Sequence, residues 1–311
     1  MSRIFVPPIK CQGIKTKLVP LIQENLNWDR AGTWIEPLMG SGVVGFNIRP
    51  KRAVFADSNP HIINFYQAIN SSILTPAVVG SFLKHEGACL QEKGGDYYYQ
   101  VRERFNQEQE PLDFLFLNRA GFNGMIRFNQ NGEFNVPFNH KPERFSQAYI
   151  TKVVNQVRYV YDLCRLNEYT FLCQDFRETL RDVGVKDFVY CDPPYFGRHV
   201  DYYNSWAETD ERDLLGYLNQ CKARFILSTW HSNEYRSNPL IPDLQKRHHV
   251  VTQEHFYHVG PKETNRKPVI EALVMNYNNS SQHFYRPSLQ PQQARLLERP
   301  LPTLTGTVEG N

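Results

Sequence analysis

Residues 33–57 read TWIEPLMGSGVVGFNIRPKRAVFAD, and this stretch decides the fold. Thr33-Trp34-Ile35-Glu36 is a short β-forming run that ends at Pro37. Gly40, Gly42 and Gly45 follow with the spacing GxGxxG, and Ala53-Val54-Phe55-Ala56 is a second β-like run that ends at Asp57. Strand, glycine turn, helix and strand make the unit of a nucleotide-binding α/β protein. The glycines let the backbone turn tightly and approach a ligand, and an acid at the end of the second strand can accept hydrogen bonds from ribose hydroxyls. Alone, the pattern fits a dinucleotide-binding dehydrogenase and an S-adenosylmethionine (AdoMet) enzyme alike. Glu36-Pro37 before the glycines tilts the choice towards AdoMet, because an acid there can meet a cationic amino-acid tail.

Downstream, Phe171-Leu172-Cys173, Phe188-Val189-Tyr190-Cys191 and Phe225-Ile226-Leu227-Ser228 read as short strands separated by helix-like segments. Runs 249–258 and 268–277 look like a closing antiparallel hairpin. Between about Thr75 and Arg158 the pattern is helical, with residues 112–117 its most apolar part. Within it, 119–145 is rich in Asn, Gly and aromatics and reads as a long loop or hairpin. The expectation is one α/β sheet domain interrupted by an inserted module. It divides into residues 1–72 and 161–278 for the sheet and 73–160 for the insert. The Pro-, Gln- and Ser-rich residues 279–311 are expected to be a disordered tail.

With 41% hydrophobic and 22% charged residues over 311 positions, the chain can bury a sizeable core and is not a wholly disordered protein. No apolar run approaches the ~20 residues of a membrane span, and the N-terminus shows no apolar secretory segment, so a cytoplasmic setting with no membrane partner is expected. The six cysteines form no CxxC pair and read as reduced thiols. His248-His249 and His255-x-x-His258 lack a matching acid or Cys pattern, so no metal is expected. Ser228-Thr229-Trp230-His231 lacks the G-x-S-x-G frame of a hydrolase nucleophile. The net charge of +3 is uneven. Residues 1–17 hold Arg3, Lys10, Lys15 and Lys17 and no acid. Residues 119–158 hold Arg119, Arg127, Lys141, Arg144, Lys152 and Arg158 against Glu133 and Glu143. Such basic clusters suit a polyanion, and equally a solvated charged face.

Asp192-Pro193-Pro194-Tyr195 carries the chemistry. It follows a strand, so it lies at the carboxyl end of the sheet, where such sheets bind ligands. The two prolines fix an extended turn and remove N–H groups. The Asp192 carboxylate and the Pro193 carbonyl then become acceptors converging on one planar amine, and Tyr195 offers a flat face for stacking. An exocyclic adenine amine is a poor nucleophile because its lone pair is delocalised into the ring. Two acceptors on its hydrogens favour a pyramidal nitrogen that can attack a sulfonium methyl in line, with the enzyme supplying position and a polar site. The chain has no Pro-Cys pair of the sort a C5-cytosine enzyme uses. An amine inside a duplex is out of reach, so the base must be flipped out.

Five pieces in this order resemble the Dam-like class of N6-adenine DNA methyltransferases: VPPIKCQGIKTKLVP at 6–20, EPLMGSGVVGFN at 36–47, ADSNPHIINFY at 56–66, LNRAGFNGMIRFNQNGEFNVPF at 117–138 and VYCDPPYFGR at 189–198. The resemblance runs from about Val6 to Tyr277. It implies a Rossmann-like AdoMet-dependent methyltransferase sheet, with a mainly helical DNA-recognition module inserted at 73–160 and a base-reading loop at 119–145. It implies AdoMet contacts for Lys15 and Asp57, with Glu36, Gly40 and Gly42 lining the same pocket and Asp175 and Phe176 beside the cofactor adenine. Asp192 would serve both cofactor and target, and Pro193 and Tyr195 complete the catalytic motif. Lys10 would meet the first guanine of the site. Phe122 stands where the class has a wedging Tyr, and Asn123 follows it as it does there. Arg127 sits where a base is read, and the segment from Asn129 to Lys141 would read the rest of the site. Lys141 and Arg144 are expected on phosphates. Cys11-Gln12 replaces the family's Trp-Ala and leaves one aromatic wall of the cofactor pocket unaccounted for.

The expected substrate is double-stranded DNA with a site beginning GAT. The loop text, with RHVDYYNSWAE and EHFYHVG, resembles EcoRV-type modification enzymes and favours GATATC over GATC. A monomer is expected, with a cognate restriction endonuclease acting on the same site without direct contact. The alternatives are a solitary GATC enzyme, an N4-cytosine methyltransferase (which usually carries Ser in place of Asp192), and a non-catalytic DNA-binding module. A protein-glutamine methyltransferase would favour Asn at 192 and has no need of the 119–145 loop, and a dehydrogenase leaves DPPY unexplained.

Overall fold

The computed structural model describes residues 3–195, 206–256 and 268–278. Seven strands form one sheet: β1 (Trp34–Glu36), β2 (Arg52–Asp57), β3 (Glu168–Cys173), β4 (Phe188–Cys191), β5 (Arg224–Asn233), β6 (His249–Phe256) and β7 (Pro268–Met275). Their order is β3-β2-β1-β4-β5-β7-β6, parallel from β3 through β5, with β7 antiparallel between β5 and β6. The chain runs outward through β2 and β3 on one side of β1, then returns to β4 on the other. The switch point therefore lies between β1 and β4, where an open α/β sheet leaves a crevice beyond its carboxyl edge.

Strand alternation sends side chains to two covered faces. On one face Trp34 stacks on Phe188 at 5.3 Å and on Tyr190 at 6.0 Å, beside Phe46, Phe55 and Tyr66. Phe46 comes from α2 (Val43–Ile48) and Tyr66 from α3 (Pro60–Asn70). On the other face Ile35, Val189, Phe225 and Leu227 meet α8 (Phe176–Thr179), α9 (Glu208–Gln220) and α10 (Ile241–Arg247). The remaining N-terminal helix is α1 (Val19–Asn25).

The insert carries α4 (Pro76–Lys93), α5 (Gly95–Glu108), α6 (Pro111–Ala120) and α7 (Gln147–Leu166). Its apolar core is continuous with the first face of the sheet. The expected boundary at 72–73 coincides with the turn after α3. The expected boundary at 160–161 falls inside α7, which runs on to Leu166 and delivers the chain to β3. Every residue of α6 from Asp113 to Ala120 is buried. Asp113 is tolerated there because Arg104 pairs with it at 2.5 Å and with Glu86 at 3.2 Å.

The loop after α6 is a hairpin-like excursion. Isolated bridges join Gly121 to Phe138 and Phe128 to Phe134, and Phe134, Val136 and Phe138 plug into the core. The tail expected at 279–311, and the stretches 196–205 and 257–267, lie outside the described residues.

Candidate active site and nucleic-acid interface

The glycine turn is held by acids. Asp57 accepts from the Gly40 N–H at 2.9 Å through Oδ2 and from the Asn59 N–H at 2.9 Å through Oδ1. Gly40 has φ +48° and open space where a Cβ would stand, while Gly42 at φ +69° is crowded by Phe46 and Met39. Glu36 is buried, and its Oε2 accepts from Trp34 Nε1 and from the Gly45 N–H, both at 3.0 Å. A Cβ at Gly45 would stand 2.3 Å from Phe55 and 2.6 Å from that oxygen, so glycine is needed for the approach. Burial pushes the Glu36 carboxyl up to about 8, with Asp192 adding to the effect. Burial also raises Asp57.

Asp192 leaves the end of β4 across the switch point from Glu36. Lys15 Nζ lies 2.7 Å from its Oδ1, donates to the Gly13 carbonyl at 2.9 Å, and sits 4.9 Å from the centre of the Tyr195 ring. Burial raises Asp192 to about 6, against the pull of Lys15. Pro193 is buried behind it. The Tyr195 hydroxyl donates to Glu271 Oε2. Lys15, Glu36, Gly40, Gly42, Asp57, Asp192, Pro193 and Tyr195 therefore gather at the carboxyl ends of β1, β2 and β4.

Asp175 and Phe176 follow β3 and open α8. Asp175 is exposed, caps α8 through the Arg177 N–H at 2.8 Å and pairs with the Arg177 guanidinium at 3.2 Å. The Phe176 ring is buried in the second core, 5.4 Å from Trp206 and beneath Arg177. Cys11, where an aromatic wall was missing, is half-buried, and burial together with Asp57 pushes its thiol well up. Ser228 is fully buried and bonds the Tyr190 hydroxyl at 2.9 Å, which is core work and not that of a nucleophile.

The loop presents a tip. Phe122 is 49% exposed, and the exposed Asn123 beside it adopts φ +54°, a conformation that Asn tolerates and most side chains do not. Gly124, at φ +66°, leaves room for Lys10, whose Cδ would lie 2.4 Å from a Cβ there. Asn118 staples this arrangement. It accepts from the Lys10 N–H and donates to the Lys10 carbonyl, both at 2.9 Å, and donates to the Gly124 carbonyl at 3.1 Å. Arg119, also buried, holds the Pro8 carbonyl and Gln156. Burial lowers Lys10, and Arg144, Arg119 and Lys152 reinforce the shift.

Arg127 is half-buried and donates to Asn135 Oδ1 at 2.8 Å and to the Asn135 carbonyl at 3.0 Å, so the loop fixes its orientation. Asn129 is engaged within its own turn. Its oxygen accepts from the Asn131 and Glu133 N–H groups and its amide donates to Glu133, so the side chain builds a turn. Lys141 is exposed, and the Arg144 guanidinium lies over the Tyr149 ring at 5.0 Å. Sequence reasoning missed Asn118 and Glu271. Asn118 lies within a quoted motif, while Glu271 was signalled only by an acid in an otherwise apolar strand.

Residues 12–263 match the family described as D12 class N6 adenine-specific DNA methyltransferase. The type II methyltransferase M.FokI of Planomicrobium okeanokoites is 26% identical over 286 residues, covering 88% of this chain and 43% of that protein. The DNA adenine methylase of Haemophilus influenzae is 33% identical over 195 residues, covering 61% and 63%. The type II methyltransferase M.MjaIII of Methanocaldococcus jannaschii is 31% identical over 298 residues, covering 87% and 99%. The chain thus spans less than half the length of M.FokI and nearly all of M.MjaIII. With that family matched over residues 12–263, most of its length, the chain belongs to the D12 class of N6 adenine-specific DNA methyltransferases.

Proposed function

We propose that this chain methylates N6 of an adenine flipped out of double-stranded DNA, with AdoMet as donor. The observation that carries the reading is the pairing of Asp192 with Lys15 at the β1/β4 switch point, with the Tyr195 ring alongside. The pocket fits the donor by charge. Glu36, Asp57 and Asp192 are three buried or half-buried carboxyls at the strand ends, and among the described residues Lys15 pairs with Asp192, a set suited to a ligand with net positive charge. Glu36 would meet the ammonium tail, Asp57 and the open edge at Gly40 the ribose side, and Asp175 and Phe176 the adenine end. AdoMet would supply an electrophilic sulfonium methyl and leave as the thioether, and the methylated nitrogen would give up one of its two protons to solvent by way of the Asp192 carboxylate.

The chain's own groups do the rest. The Asp192 carboxylate and the Pro193 carbonyl accept the two amine hydrogens and localise the nitrogen lone pair. Tyr195 supplies the stacking face. No covalent intermediate on the protein is required, and positioning dominates. Residues 73–160 would form the DNA-recognition module. Phe122 would fill the gap left by the flipped base, Lys10 and Asn123 would engage the first guanine and the gap, and Arg127 would read a base. Lys141 and Arg144 would bind phosphates and set the salt dependence.

The favoured site is GATATC, on the likeness of the loop text to EcoRV-type enzymes, and the role is then self-protection beside a restriction endonuclease. The relatives include both type II methyltransferases and DNA adenine methylases, so the second reading is a solitary GATC enzyme. Among the described residues no helix is long and apolar enough to cross a membrane. Plasmid carrying both sites is treated with enzyme and AdoMet, then challenged with nucleases blocked by adenine methylation. Protection at GATATC alone supports the first reading, protection at every GATC the second, and protection at neither removes the GAT assignment. Nucleoside analysis of the same DNA must yield N6-methyladenine, and N4-methylcytosine there would overturn the reaction.

A further inference from the structure

Glu271 lies in the middle of β7, 1% exposed, in register with Trp230 of β5 and Gln253 of β6. The residues after it, Ala272 to Met275, are all buried and apolar. A carboxyl in such a run is costly unless it is hydrogen-bonded. Its Oε2 accepts the Tyr195 hydroxyl. The Tyr195 ring in turn lies beside Lys15 Nζ, and Lys15 is paired with Asp192. One chain of contacts therefore runs from the antiparallel strand to the acceptor of the reaction. Tyr195 follows two prolines beyond the end of β4, and its hydroxyl contact with Glu271 ties the ring to the sheet.

We propose that Glu271 is a positioning residue for methyl transfer, its carboxylate anchoring the Tyr195 hydroxyl and so setting the plane on which the target base stacks. This rests on the reading of Tyr195 as the stacking face of an N6-adenine site. An unanchored ring can rotate about its side-chain torsions and carry the base away from Asp192 and the Pro193 carbonyl. A misplacement of about 1 Å at such a site costs on the order of 100-fold in rate. Glu271 touches neither donor nor base in this scheme; it acts on the ring through its hydrogen bond to Tyr195, while its charge also raises the Asp192 carboxyl.

The test measures kcat and KM with unmethylated genomic DNA and tritiated AdoMet, together with AdoMet binding and melting temperature. The proteins are wild type, Glu271→Ala, Glu271→Gln, Tyr195→Phe and the double variant Glu271→Ala with Tyr195→Phe. Glu271→Ala and Tyr195→Phe are each expected to lower kcat by about 10- to 100-fold, with KM for DNA and AdoMet affinity little changed. The double variant should fall no further than either single one, because both remove the same contact. Glu271→Gln keeps an acceptor and should restore most of the rate. If Glu271→Ala does not fold, Glu271→Met, which fills the space without an acceptor, replaces it in the cycle. Losses that multiply in the double variant, a Glu271→Gln rate as poor as Glu271→Ala, or a change confined to KM would each overturn the inference. Wild-type enzyme that makes no N6-methyladenine would instead fail the functional reading, and the inference with it.

Discussion

Asp192 is asked to be an acceptor in a place that resists its charge. Removal from water raises its carboxyl from the ordinary range to about 6, and Lys15 at 2.7 Å holds it from rising further. Two outcomes follow. Asp192→Ala should cut methyl transfer by about 100- to 1000-fold, the scale of losing one preorganised polar contact in a transition state. The fold should survive, since the side chain lies in the crevice and not in either core. Transfer of labelled methyl within tenfold of wild type would remove Asp192 from the chemistry. The second outcome concerns pH. Protonated Asp192 has one acceptor oxygen fewer for the amine, so kcat/KM should fall by about tenfold per unit below pH ~6. A profile that stays flat to pH 5 would show that the ionised carboxylate is not needed.

The loop after α6 works as an element because its sides are pinned and its tip is not. Asn118 and Gly124 fix it against Lys10, and Phe134, Val136 and Phe138 fix it in the core. Phe122 and Asn123 are left exposed. Arg127 is oriented by Asn135, so little side-chain entropy remains to be lost on contacting a base. Arg127→Ala should therefore relax discrimination between the cognate site and single-base variants by the ~1–3 kcal/mol of a bidentate Arg–guanine contact. Nonspecific affinity should change less. Equal loss on all sequences, measured by methylation of a set of one-base-changed duplexes, would move Arg127 to the phosphates. Much of this was legible in the chain. All seven strands were found from β-forming runs and turn residues, and DPPY and the glycine turn, the candidate site, lie together at the strand ends. The hidden parts were those set by distant pairing. Helix α7 runs through the expected domain boundary because its apolar face serves the insert and the sheet at once. The turn that Asn129 builds was hidden because a turn-forming Asn and a base-reading Asn are the same residue type. Glu271 could not be tied to Tyr195, 76 residues away, before β7 was known to run antiparallel beside β5.

At the scale of the whole molecule, the ligand-free fold carries acids that it would rather keep protonated, and this couples its stability to its donor. The Glu36 carboxyl titrates near 8 in the fold and at its ordinary value of about 4.3 in the unfolded chain. Between these values the folded state binds the extra proton, so stability falls as pH rises. His61 works in the opposite sense, because burial lowers it to about 4 and stability is lost as pH drops below about 6.5. From pH ~6.5 to ~8, His61 is neutral in both states and no longer opposes the Glu36 effect. The ligand-free protein should lose up to about 1.4 kcal/mol of stability per pH unit in that window, which is the free energy of one proton. Glu36→Gln should abolish this slope, since the amide oxygen can still accept from Trp34 and Gly45 without a charge to desolvate. A cationic ligand reverses the balance by stabilising the ionised form, so AdoMet should bind with release of protons and its thermal stabilisation should grow from pH 6 towards 7.5. The limit is the donor's own α-amino group, which begins to lose its charge near 7.7–8.0 on the ordinary scale. Calorimetric titration in two buffers of different ionisation enthalpy reads the proton count directly. Release by wild type that is lost in Glu36→Gln places the donor's cationic tail at Glu36, whereas proton uptake, or equal release by both proteins, places it elsewhere.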